Sequence, residues 1–143
     1  MINSLNHVGL GVSDMKRSLE FYRDFLGMEV LMELDIIDNR IARVIGVKGA
    51  KCKIAHLKLG DTILELFEYS SPQGNNIADN TKQYDHGLIH MGFEVNDFNN
   101  HITQLKEKNI KFLGEPVEFR SGVWIVYFYG PDDEVIEFRQ RDE

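Results

Sequence analysis

Four residues carry the chemical interest of this sequence: His7, Glu65, His90 and Glu137. They fall as two matched pairs. The phrase "HVGLGVSD" begins at His7. Its echo "HMGFEVND" begins at His90, 83 residues later, and sets Gly9 over Gly92, Val12 over Val95 and Asp14 over Asp97. The phrase "DTILELFEY" carries Glu65, and "DEVIEFRQR" carries Glu137, 72 residues later. Each glutamate interrupts an apolar run, between Leu64 and Leu66 in one case and Ile136 and Phe138 in the other. A carboxylate there is costly unless it is paired, hydrogen-bonded or bound to a cation. Two imidazoles and two carboxylates make a nitrogen and oxygen donor set. It suits a divalent Zn, Ni or Co ion, and Mn or Fe(II) as well, better than Ca. Four protein ligands on a six-coordinate ion leave room for a substrate oxygen, and the chemistry that follows is Lewis-acid catalysis next to a carbonyl. A lone strand histidine is ordinarily a packing residue, and a lone strand glutamate ordinarily faces water. The fourfold correspondence sets these residues apart from that reading.

The elements that position them follow from periodicity. Side chains alternate along a strand, so His7, Gly9 and Gly11 share one face, and Val8, Leu10 and Val12 the other. In the echo His90, Gly92 and Glu94 oppose Met91, Phe93 and Val95. The glycines keep the histidine face hollow. Each phrase leads into a helical pattern. Met15, Leu19, Tyr22 and Leu26 form the first stripe, widened by Phe21 and Phe25, with Asp14 or Ser13 as cap and Gly27 as stop. Phe98, Ile102 and Leu105 form the second, with Asp97 as cap and Asn109 as stop. Three strands are expected after each helix, at about 29–35, 52–59 and 62–69, then 111–119, 123–129 and 134–140. The first half is the longer, and "DIIDNRIARVIGVKGA" holds much of the surplus. Module one therefore spans about 1–69, a polar linker about 70–86, and module two about 87–143, together forming one α+β domain.

The remaining composition bounds the function. With 16 basic and 23 acidic residues the net charge is −7, which disfavours nucleic acid or an anionic membrane as partner. No apolar run is long enough to span a bilayer, and the first residues lack the pattern of a signal peptide, so a cytoplasmic location is expected. Cys52 is the single cysteine and reads as a packed apolar residue, which excludes an internal disulfide or a thiolate cluster. Arg43, with Arg40, is a candidate for an anionic substrate group, His56 for the pocket lining, and Trp124 and Tyr127 for an aromatic wall. His101 is expected to face solvent from its helix, and His86 lies in the linker.

The phrases "HVGLGVSDMKRSLEFYRDFLGMEV", "ILELFEY", "IHMGFEVND" and "GPDDEVIEFRQ" together resemble the vicinal oxygen chelate superfamily over nearly the whole chain. That superfamily includes glyoxalase I, methylmalonyl-CoA epimerase, extradiol dioxygenases, and the fosfomycin and bleomycin resistance proteins. The resemblance implies two βαβββ modules pairing into a U-shaped mixed sheet around a central metal site, commonly in a homodimer. It implies His7, Glu65, His90 and Glu137 as ligands, in the order found in bacterial glyoxalase I. It also makes Glu137 the candidate catalytic base, a role Glu65 can share. Where glyoxalase I has an arginine and an asparagine that contact glutathione, this chain has Gly11 and Tyr69. The expected function is thus a divalent-metal-dependent isomerase or lyase acting by proton transfer on a small carbonyl or thioester substrate, not strictly glutathione-specific. "LELFEYSSPQG" is also similar to the epimerase phrase at this point, which makes an epimerase-like enzyme the alternative. Extradiol chemistry uses only three of the ligands, and Glu65 would crowd it. Metal-assisted thiol transfer to an epoxide fits the same ligands. A binding or resistance protein that sequesters a small molecule is the reading from another class, although the bleomycin-binding members generally lack the ligand set.

Overall fold

The opening phrase folds as a short strand, β1 (His7–Gly11), with Val8 and Leu10 half-buried and the residues between them exposed. Asp14 then caps a helix, α1 (Met15–Leu19), accepting from the Arg17 N–H at 3.0 Å. The helix runs on into π-helical turns over Glu20–Phe25. The Leu26 N–H there donates to the Phe21 carbonyl five residues back, at 2.9 Å. Gly27, at φ 76°, stops it. Met15, Leu19 and Tyr22 are buried, as the stripe requires.

Residues 1–142 are described in this computed structural model. They divide into two compact units, Met1–Asn76 and a second that begins at Ile77. In the first unit β1 is followed by β2 (Glu29–Ile36), α2 (Asn39–Ile45), β3 (Lys51–Leu59) and β4 (Thr62–Ser71). The sheet order is β1-β4-β3-β2, with β1 parallel to β4 and the other pairs antiparallel. In the second unit a short 3-10 turn at Ala78–Asn80 precedes β5 (Met91–Glu94), α3 (Phe98–Glu107), β6 (Val117–Arg120), β7 (Val123–Tyr129) and β8 (Val135–Arg141). Its sheet repeats the order and the senses: β5-β8-β7-β6, parallel only between β5 and β8. Two mixed four-stranded sheets of this kind, each carrying a helix on one face, are the α+β two-module fold expected from the repeat.

The last strand of each unit ties the helix to the sheet. Glu68 on β4 accepts from the Met15 N–H at 2.6 Å, and Gln140 on β8 accepts from the Phe98 N–H at 2.7 Å. The two side chains stand 72 residues apart, in step with the repeat of the glutamates. This corrects the expected cap of the second helix. Asp97 lies at φ 56° and its side chain makes no capping hydrogen bond, so Gln140 takes its place.

Within the surplus segment of the first half, Asn39–Ile45 forms α2, capped by Asp38 and ended by Gly46 at φ 71°. Ile41 and Ala42 seat this helix on Ala50, Cys52 and Ile54 in a cluster joined by Ile36, Phe67 and Tyr69. The strand expected over 111–119 is paired only at Val117–Arg120, with a single bridge between Phe112 and Phe128. Pro116 has no N–H to give to a ladder. In the second unit Phe98, Ile102 and Leu105 are buried beside Val126, Phe128, Ile136 and Phe138, with the Phe128 and Phe138 rings 4.7 Å apart.

Candidate functional site

In each unit the helix covers the even-numbered residues of the last strand, so the odd-numbered ones point to the other face. On β4 that face carries Ile63, Glu65, Phe67 and Tyr69; on β8 it carries Val135, Glu137, Arg139 and Arg141. Strand register then builds the same row twice. Gly9 on β1 and His56 on β3 flank Glu65. Gly92 on β5 and Tyr127 on β7 flank Glu137. A Cβ on Gly92 would sit 3.7 Å from the Glu137 carboxylate, an ordinary contact distance.

The histidines close each row in the same way. His7 Nε2 lies 3.2 Å from Glu65 Oε2, and His90 Nε2 lies 3.1 Å from Glu137 Oε2. Both carboxylates are mostly buried, with side chains 14% and 12% exposed. The other ring nitrogen is held by an amide in both cases: His7 Nδ1 is 2.8 Å from Asn6 Oδ1, and His90 Nδ1 is 3.0 Å from Gln83 Oε1. Gln83 is itself oriented, because its Nε2 donates to the Ile89 carbonyl at 2.7 Å. Its oxygen therefore faces His90, whose Nδ1 must be the protonated nitrogen. The Nε2 of a neutral His90 ring is then a lone pair facing a carboxylate, an arrangement that calls for positive charge between the two. A proton on the ring meets that need, and so does a metal ion. Ligands about 2.1 Å from a common ion stand roughly 3.0–3.4 Å from one another, which matches both N···O separations. An anchored Nδ1–H is also how a metal-binding histidine is ordinarily oriented. The donor set thus fits a divalent cation. Among the described residues, no group of three or more His, Cys, Asp or Glu side chains is arranged to hold a metal ion. The expected ligands stand as two His–Glu pairs, one in each unit.

Two further residues adjoin the carboxylates. His56 Nε2 is 2.5 Å from Glu65 Oε1, and its ring stacks on His7 at 6.3 Å. The Tyr127 side chain stands beside Glu137 in register across β7 and β8, and its ring meets His90 edge-on at 5.1 Å. Burial, and then the Glu137 charge, hold the Tyr127 hydroxyl above the ordinary phenol value, so it stays a neutral donor. Burial likewise raises Tyr69, which stacks on Phe67 at 5.9 Å further along the Glu65 face.

The other candidates fall elsewhere. Trp124 does not share a wall with Tyr127: it lies on the opposite face of β7 and packs on Phe98 at 5.9 Å. Arg43 is exposed on α2 beside the buried Ile41 and Ala42, and Arg40 is committed to Asp38 at 2.8 Å. His101 is half-buried, with its ring against Phe138 at 5.3 Å. Asn6 and Gln83 went unmarked in the sequence. Each is an ordinary polar residue near a histidine, and no motif announces it.

The fold agrees with comparison to known proteins. Residues 4–138 match the family model described as the Glyoxalase/Bleomycin resistance protein/Dioxygenase superfamily, and the chain belongs to that superfamily. It is 31% identical over 139 residues to metallothiol transferase FosB of Staphylococcus epidermidis, covering 95% of this chain and 80% of that protein. It is 26% identical over 132 residues to the mitochondrial methylmalonyl-CoA epimerase of Bos taurus, covering 92% and 69%. Among solved structures, a glyoxalase family protein from Bacillus cereus superposes with a TM-score of 0.92 at 16% identity, covering 100% of this chain and 97% of that one. The fosfomycin resistance protein FosX of Listeria monocytogenes, solved with Mn(II) and sulfate, gives 0.67 at 16% identity over 99% and 95%. The superfamily includes enzymes, and homologues bind divalent metal.

Proposed function

We propose that this chain is a divalent-metal-dependent isomerase or lyase that moves a proton on the carbon next to a carbonyl, with His7, Glu65, His90 and Glu137 as the ligands of one ion. The observation that carries this reading is the repeated His–Glu pair, in which an imidazole Nε2 faces a buried carboxylate at 3.1–3.2 Å while Nδ1 is tied to an amide. Zn, Ni or Co suits the donor set best, and Mn or Fe also suits it. When bound, the ion supplies Lewis-acid polarisation of the carbonyl.

The chain's own residues do the rest. His7 and His90 keep their ring orientation through Asn6 and Gln83. Glu65 has both oxygens engaged by imidazoles, Oε2 with His7 and Oε1 with His56, which fits a residue that stays put as a ligand. Glu137 meets one histidine, with the neutral hydroxyl of Tyr127 beside it. That hydroxyl can donate to the carboxylate while it is charged and accept from it once it carries a proton. Glu137 is therefore the base that takes the substrate proton and returns it, with Glu65 able to share the role.

The substrate is a small carbonyl compound or thioester, and the working form is a cytoplasmic homodimer. Solvent deuterium wash-in tests the reaction, using α-keto hemithioacetals and acyl-CoA thioesters. Deuterium should enter at the carbon next to the carbonyl with wild-type protein and not with Glu137→Gln, whose fold persists. No exchange with any of these substrates, or a fully active Glu137→Gln, would overturn the assignment. A second reading is favoured by the FosB likeness: transfer of a thiol to an epoxide, which the same ligands would serve and which consumption of an epoxide by a low-molecular-weight thiol would reveal.

A further inference from the structure

Beside Glu137, in the second unit, lies an open groove of about 500 Å³ that carries two arginines in its lining. Phe119 and Ile125 give it an apolar side, Tyr127 and Glu137 form its reactive end, and Arg120 and Arg139 line the remainder. Arg139 follows Glu137 by two residues on β8, so both side chains leave the same face. That spacing sets their backbones about 7 Å apart. The Arg139 Nε is buried and meets no hydrogen-bond partner among the described residues. A guanidinium donor left without a partner out of water is costly. Glu94 stands in register with Arg139 across β5 but is exposed, where an ion pair is worth little. The repeat supplies a contrast. The position in the first unit that matches Arg139, two residues after its own glutamate, is Phe67, stacked with Tyr69 in an apolar cluster.

We propose that this groove is the substrate subsite for a compact oxoanion, and that Arg139 is the residue that binds it, with Arg120 at the rim. The ligand is a small carbonyl compound bearing a carboxylate or phosphate a few bonds from the carbon that loses its proton, with an apolar portion against Phe119 and Ile125. A guanidinium is suited to such a group because its planar fork meets two oxygens at once. The subsite rests on the reading of Glu137 as base, since it places the anion relative to that carboxylate. Its binding chemistry is tested separately from turnover.

Benzoate, phenyl phosphate and the uncharged benzamide are the probes, titrated by calorimetry into the full chain both loaded with metal and after chelation. The wild type should bind both anions more tightly than benzamide in both forms. Arg139→Gln should weaken both anions at least about tenfold, the loss expected for one charge-assisted contact. It should leave benzamide unchanged, and Arg139→Lys, which keeps the charge without the fork, should recover only part of the loss. Near-UV circular dichroism checks that each variant is folded. Wild-type affinity for the anions in Arg139→Gln, equal affinity of the wild type for benzamide and benzoate, or no anion binding by the wild type at millimolar concentration would each overturn the subsite. Failure of the proton-transfer reading shows instead as deuterium exchange that ignores Glu137→Gln, whatever the titrations give.

Discussion

At the scale of single residues, what distinguishes the paired glutamates is their company. Glu65 is gripped by two imidazoles, whereas Glu137 has one imidazole and a phenol that stays neutral. The same donor type at matching places in a repeat thus meets two different surroundings. Cys52 shows the opposite case, a reactive side chain made inert by its place. It is 1% exposed beneath α2, and burial pushes its thiol above the ordinary cysteine value, with the charges of Asp35 and Glu65 adding to the shift. A raised thiol value means less thiolate at any given pH, and the thiolate is the form that reacts. Alkylation by iodoacetamide near neutral pH should therefore be at least about tenfold slower in the native chain than in urea. The native rate should keep rising with pH beyond the range in which an exposed thiol levels off. Equal rates in the two states would show that Cys52 is not shielded.

At the scale of elements, each unit relies on a side chain from its last strand to finish the helix on its far face. Glu68 does this with charge and Gln140 without it. Glu68→Ala leaves the Met15 N–H without its partner and removes a negative charge from a helix N-terminus, so it should cost about 1–2 kcal/mol. Glu68→Gln keeps an acceptor and should lose less than half of that. Urea unfolding checks both, and an unchanged midpoint for Glu68→Ala would contradict the role. How legible these features were depends on their range. Alternation and the two repeated phrases set the first helix, the faces of Glu65 and Glu137, and the strands other than the one expected over 111–119 in plain view. Alternation also separates Trp124 from Tyr127, since residues three apart on a strand point to opposite sides. Cross-strand register lies outside any local pattern, so the contact of His56 with Glu65 could not be read from their positions. The same holds for Gln83 with His90. The short helix α2 had its signals in Asp38 and Gly46, but seven residues inside a loop-like segment make a weak pattern. Asp97 looks like a cap in sequence, and only its left-handed backbone takes its side chain away from that task.

At the scale of the molecule, the repeat has produced two units of one topology with unlike surfaces on the site-bearing faces. One is aromatic and seated under α2; the other is open and lined by arginine. Each unit holds one His–Glu pair, and under the proposed function both pairs serve a single ion. Metal content tests it most directly, measured by elemental analysis of the purified full chain after equilibration with Zn(II), Ni(II), Co(II) or Mn(II) and removal of excess. One ion per chain is expected in the wild type, falling to near zero in His7→Ala and equally in His90→Ala, although the two residues belong to different units. Two ions per chain, or one ion retained at full occupancy in either variant, would contradict it.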